Sequence, residues 1–95
     1  MTSLPRYCIY VLKSLKDGNL HTGFSTALSR RLEEHNSGKS PATAPRRPFV
    51  LLFCEHYRSK ADALRRETYL KSTIGKRTLR LMLADTLAAS SPPSE

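Results

Sequence analysis

The stretch YCIYVLK at residues 7–13, followed by Lys16-Asp17-Gly18-Asn19 and then by LHTGF at residues 20–24, does most to limit what this chain can become. β-Branched and aromatic residues favour extended backbone, and an Asp-Gly pair between two such runs closes a tight turn. Two antiparallel strands joined as a hairpin are therefore expected at the start of the fold. The whole chain has 95 residues, enough for one core around that hairpin but not for two. One domain over residues 6–87 is expected.

Beyond the hairpin the pattern changes period. Ser25 or Thr26 is placed to cap a helix whose Leu28 and Leu32 stand four residues apart, and Asn36-Ser37-Gly38 reads as its stop. Residues 36–48 carry Pro41, Pro45 and Pro48 with Lys39, Arg46 and Arg47, which predicts an exposed basic loop without regular structure. The continuous apolar run FVLLFC at 49–54 suits a third strand, central in its sheet and buried on both faces. Ser59 with Asp62 resembles a capping box opening a helix over 60–74, with Gly75 placed to end it. A last helix is expected over about 78–87. The tail at 88–95, AASSPPSE, offers nothing to pack and is expected to be disordered. Three strands and three helices place the chain in the α+β class.

Charge narrows the partners. Sixteen Lys and Arg against eight Asp and Glu give a net charge of +8 and a pI near 10.0, which points to a polyanion. Nucleic acid fits better than a membrane, because no apolar run is long enough to span one and the helices lack the aromatic face of a surface-bound segment. Cys8 and Cys54 each lie inside an apolar run, so neither a disulfide framework nor a disulfide-linked partner is expected. The first six residues do not form a signal peptide, and a reducing cytoplasm is the expected compartment. His21, His35, His56 and the two cysteines show no paired spacing of the CxxC kind, so a structural zinc is not expected.

Three positions carry chemistry. On a helical wheel Glu67 falls between Ala63, Leu70 and Ile74, inside the apolar stripe of its helix. A carboxylate there must meet a cation, and two readings stand: an ion pair with Lys or Arg of a neighbouring element, or a divalent metal. Arg31 and His35, four residues apart, flank the stripe of Leu28 and Leu32. A guanidinium and an imidazole converging there suit a phosphate, the first on its non-bridging oxygens and the second moving protons. Tyr10 reaches the same place if the hairpin lies beneath the helices. The other reading makes Arg31 a stem at the core edge and Tyr10 a core residue.

Taken in order, CIY (8–10), HTG (21–23), LSRRLEEHNSGK (28–39), a basic proline loop, RPFVLLFCE (47–55) and SKADALRRETYLKS (59–72) resemble the GIY-YIG superfamily. The likeness covers most of the chain and is nearest to small single-domain, UPF0213-like members related to the endonuclease domains of excision-repair and Slx-type nucleases. It implies a three-stranded antiparallel sheet flanked by helices, with Tyr10 as the motif tyrosine, Arg31 as the phosphate-binding arginine and Glu67 as the metal-binding glutamate. The departures are Cys8 for the first motif's glycine and His21 for the second motif's tyrosine, with no counterpart of an asparagine that some members carry after the glutamate helix. An imidazole ordinarily titrates near neutrality, which makes His21 a candidate proton-transfer group beside His35.

The implied activity is metal-dependent endonuclease cleavage, of DNA more than RNA, with one Mg²⁺ or Mn²⁺ on Glu67. Lys39, Arg46, Arg47, Lys71, Lys76, Arg77 and Arg80 are the expected phosphate contacts outside the cut site. The alternatives are a nucleic-acid-binding module without turnover and a basic scaffold acting through protein contacts.

Overall fold

The structure is a computed structural model that describes residues 3–89. Its elements run β1 (Tyr7–Ser14), β2 (Leu20–Ser25), α1 (Leu28–Ser37), one 3-10 turn (Ala44–Arg46), β3 (Phe49–Tyr57), α2 (Lys60–Lys71), α3 (Thr73–Met82) and α4 (Ala84–Ala89). The three strands form one antiparallel sheet in the order β2-β1-β3. This is the α+β, three-stranded antiparallel architecture expected for the chain.

The sheet has two buried faces because β1 lies at its centre. Ile9 and Val11 point to one side, where they pack with Ala63 and Leu70 of α2, Leu79 of α3 and Leu83. Cys8, Tyr10 and Leu12 point to the other, against Phe49 and against Leu28 and Leu32 of α1. All five β1 side chains are at most 1% exposed. Each fully buried aliphatic side chain contributes about 1.5–3 kcal/mol.

β3 differs from its expected place. It runs three residues further, to Tyr57, and it is an edge strand rather than a central one. Only Phe49 of its nine residues is fully buried and Leu51 is 41% exposed. The hairpin partner and β3 both pair with β1, so β1 takes the doubly covered position that the apolar run of β3 suggested for itself.

The helices also depart from expectation. α1 begins at Leu28 behind Ala27, with no side-chain cap on the helix; the Ser25 hydroxyl instead accepts from the Ala27 amide. Gly38 ends α1 at φ 84°, the left-handed conformation that glycine adopts most cheaply. Ser59 caps α2 through the Asp62 amide, as the sequence suggests.

The second helix does not reach residue 74. It stops at Lys71, and the Ser72 hydroxyl accepts from the Gly75 amide to start α3. Gly75 is thus inside α3, buried against the Tyr69 carbonyl where no Cβ would fit, and it does not end a helix. Ile74, placed on the stripe of Glu67 by a continuous wheel, is 68% exposed for the same reason.

The basic loop is less open than expected. It contains the 3-10 turn, and Ser40 and Thr43 are buried at 7% and 2% exposure. Of the tail, Ala88 and Ala89 finish α4, while residues 90–95 lie outside the described residues. Among the described residues no helix is long and apolar enough to cross a membrane.

Candidate functional site

Tyr10 sits at the middle of β1, opposite Gly23 of β2. A Cβ at position 23 would run into the Tyr10 ring and hydroxyl, so glycine there makes the space through which the phenol leans across β2. The ring is 1% exposed. Its hydroxyl meets the Nε2 of His35, on the inner face of α1, at 2.9 Å.

His35 is fully buried and uses both nitrogens, Nδ1 lying 2.8 Å from the Thr43 hydroxyl. The Thr43 hydroxyl donates to the Ser40 carbonyl at 3.4 Å, so it accepts from His35 Nδ1–H. That network assigns the tautomer: Nε2 is left as an acceptor and Tyr10 O–H donates to it. The result is one directed chain, Tyr10 to His35 to Thr43 to the Ser40 carbonyl. Burial, then the charge of Arg31, hold His35 below the usual imidazole range, with Glu34 pulling the other way, so the ring is neutral near pH 7.

Arg31, one turn before His35, brings its guanidinium beside the phenol. It also donates to Glu34 at 3.2 Å and to Ser40 at 3.5 Å, and its side chain is 37% exposed. Burial raises the Tyr10 pKa; the hydrogen bond and charge of Arg31 work against that rise, and the charge of Glu67 adds to it. Desolvation wins, so Tyr10 carries its proton in the resting protein.

His21 faces the same side of β2, opposite Leu12. Its ring lies 5.1 Å from that of His35 and 6.4 Å from those of Tyr10 and Phe49, centroid to centroid. Burial, then the charges of His35, Lys71, Arg46 and Arg31, push it down to about 4. The expectation that His21 titrates near neutrality is therefore corrected: a half-buried imidazole among four cationic or potentially cationic groups stays neutral there.

Glu67 comes from α2, whose side chains cover the other face of the sheet. Its carboxylate is 19% exposed and pairs with Lys71 at 3.2 Å, one turn along the same helix rather than on a neighbouring element. Tyr10 feels the charge of Glu67 and His21 feels that of Lys71, which places this pair at the β2 margin of the site. Beside it a cleft of about 450 Å³ is lined by Asn19, Leu20, His21, Thr22, Lys71, Lys76, Leu79 and Arg80.

The other basic residues divide into two groups. Lys39 and Arg77 are exposed and lie outside the lining of this cleft. Arg46 is tied down, its Nε donating to Asp17 at 2.9 Å and its guanidinium lying 5.7 Å from the Phe49 ring centre, with Nη2 buried and unpartnered. Arg47 donates to the Ala44 carbonyl and packs over Gly38.

The sequence alone does not single out Ser40 or Thr43. Thr43 and Ser40 sit among prolines in a segment whose composition suggests solvent, and only the tertiary fold brings them under His35. The HTG motif contains Gly23, and the size of the Tyr10 ring set against the pairing register gives the reason for glycine there.

Glu67 fits the divalent ion that the sequence resemblance implies. A hard cation takes oxygen ligands, and one carboxylate suffices where phosphate and water complete the shell. The carboxylate is accessible, and its present partner is an (i, i+4) ion pair worth only a few tenths of a kcal/mol (roughly 0.3–0.5), so it exchanges readily.

Comparison with known proteins identifies the family and the fold. The family model described as the GIY-YIG catalytic domain matches residues 6–80. A UPF0213 protein of Staphylococcus haemolyticus is 35% identical over 80 residues, covering 83% of this chain and 96% of its own, and UPF0213 proteins of Staphylococcus aureus are 37% identical over 75 residues, covering 78% and 90%. The solution NMR structure of a UPF0213 protein from Bacillus halodurans is 31% identical, with a TM-score of 0.53 over 92% of this chain and 98% of that one. The family is one of nucleases that generally use a divalent metal, with nucleic acid as the implied substrate. The chain belongs to the GIY-YIG family, among its UPF0213 members.

Proposed function

We propose that this chain, a single domain over residues 6–87, is a metal-dependent endonuclease of the cytoplasm that hydrolyses phosphodiester bonds, with DNA ahead of RNA as its substrate. The observation that carries the reading is the convergence of Tyr10, His35 and Arg31 within the field of Glu67, beside a cleft lined by Lys71, Lys76 and Arg80.

In this mechanism Arg31 holds the non-bridging oxygens of the scissile phosphate and stabilises the charge that grows on them. Tyr10 positions the attacking water. As the water's oxygen attacks phosphorus, its proton passes to the Tyr10 oxygen while the phenol proton moves to His35 Nε2. The imidazolium so formed faces a phosphate dianion in the making, which offsets the cost of charging a buried ring. Thr43 fixes the His35 tautomer that makes the transfer possible. His21, neutral at working pH, orients water by hydrogen bonding and does not change charge. Glu67 holds one Mg²⁺ or Mn²⁺, which supplies polarisation of the phosphate and neutralisation of the leaving oxygen. Lys71, Lys76 and Arg80 with Lys39, Arg46, Arg47 and Arg77 contact backbone phosphates away from the cut.

A second reading, binding without turnover, draws on one observation: Lys71 already supplies Glu67 with a positive partner. The two separate in one assay on labelled single-stranded, duplex and branched DNA and RNA, with Mg²⁺, Mn²⁺ or EDTA. The nuclease reading expects cleavage that stops in EDTA and in Glu67→Ala while binding persists. Binding with no cleavage on any substrate would leave the second reading in its place.

A further inference from the structure

The face of β1 that holds Tyr10 continues one pleat further to Cys8, and there the sheet assembles a second group of ligating atoms. Cys8 lies opposite His56 of β3, and Tyr10 lies opposite Cys54, so Cys8, Cys54 and His56 share one face at the outer edge of the sheet. One ligand atom from each of the three falls within 4.8 Å of the others. Both cysteines are free thiols, Cys8 buried and Cys54 exposed.

The histidine is already oriented. Its Nδ1–H donates to the Pro5 carbonyl at 3.0 Å, which leaves Nε2 with the free lone pair. A backbone carbonyl on the far nitrogen is the usual outer partner of a metal-bound imidazole, where it fixes the tautomer and raises ligand basicity.

We propose that Cys8, Cys54 and His56 form a site for a thiophilic divalent ion of the zinc type, with its fourth position open to solvent beside Cys54. Two sulfurs and one nitrogen are the donors such an ion selects, and Mg²⁺ or Mn²⁺, which take oxygen, do not compete for them. Ligands at about 2.3 Å for sulfur and about 2.0 Å for nitrogen stand some 3.5–3.8 Å apart around a tetrahedral ion, so closure needs side-chain movements of roughly 1 Å. Binding displaces the two thiol protons to solvent. The site is distinct from that of Glu67 and does not depend on the nuclease reading. Spacing along the chain hides it, because residues 8, 54 and 56 meet only through the register of β1 with β3.

The test uses reduced protein stripped of metal and titrated with Zn²⁺ against a chromophoric chelator, then with Co²⁺ as an optical probe. One ion per chain, thiolate-to-cobalt charge transfer and the intense visible bands of a four-coordinate ion are expected, together with a higher melting temperature in Zn²⁺. Cys54→Ser and His56→Ala, both at partly exposed positions, should keep the metal-free melting temperature and each lose at least about tenfold in affinity. Glu67→Gln should bind Zn²⁺ as wild type does. Substoichiometric binding, a six-coordinate oxygen-type cobalt spectrum, or equal affinity in the Cys54 and His56 variants would overturn the proposal.

Discussion

The two halves of the candidate site are built on different principles. The half carried by α1 is buried and saturated: Tyr10, His35 and Thr43 are at most 2% exposed and linked by hydrogen bonds of 2.9 and 2.8 Å that end on a backbone carbonyl. The half carried by α2 is a single ion pair, Glu67 with Lys71, whose lysine is 54% exposed. A network with every donor placed holds geometry, because leaving any member unpaired costs its full desolvation. A lone half-exposed pair can give up its partner to an arriving ion or phosphate. The contrast assigns positioning to one half and exchange to the other.

Breaking the saturated half should cost stability first. His35→Ala leaves the Tyr10 hydroxyl and the Thr43 hydroxyl without their partner and opens a cavity, for an expected loss of about 3 kcal/mol in chemical denaturation. A loss under about 1 kcal/mol would show that the chain of hydrogen bonds is not what holds this face together. Thr43→Val keeps the shape but removes the acceptor of His35 Nδ1–H, and about 1–2 kcal/mol is expected from the same measurement.

The exchangeable half should respond in the opposite way. Lys71→Met removes the competitor for Glu67 with little effect on folding, and half-saturating Mg²⁺ in a binding titration should fall about twofold. A rise in that concentration would mean that Lys71 helps to hold the ion rather than competing with it.

A further expectation concerns pH. His21 has a folded pKa of about 4, below the ordinary 6.5, so the unfolded chain binds the proton first. Its contribution to stability is complete above pH 6.5 and is lost as pH falls towards 4; His35 shifts in the same direction. Melting temperature should therefore decline over that window, less steeply in His21→Tyr, while the cleavage rate shows no limb from His21 between pH 6 and 8. An unchanged decline in the variant would remove His21 from the account.

The same contrast explains what could be read from the sequence. The hairpin, the α1 stop at Gly38, the Ser59 cap and the inward Glu67 follow from local periodicity and turn chemistry, and the order of motifs carried Tyr10, Arg31 and His35 with them. What escaped depends on tertiary pairing. The apolar run of β3 looks central until β1 is seen to pair on both edges. A wheel through residues 60–74 includes Ile74 until Ser72 breaks it. Thr43 beneath His35, and His56 opposite Cys8, have no signature along the chain at all.

The central claim, that Glu67 serves exchange and catalysis rather than the fold, is tested most directly by Glu67→Gln, measured for single-turnover cleavage of labelled DNA in Mg²⁺ alongside thermal melting. The account predicts a rate at least about a hundredfold lower with the melting temperature unchanged. Cleavage at the wild-type rate, or a lost rate accompanied by an equally damaged fold, would contradict it.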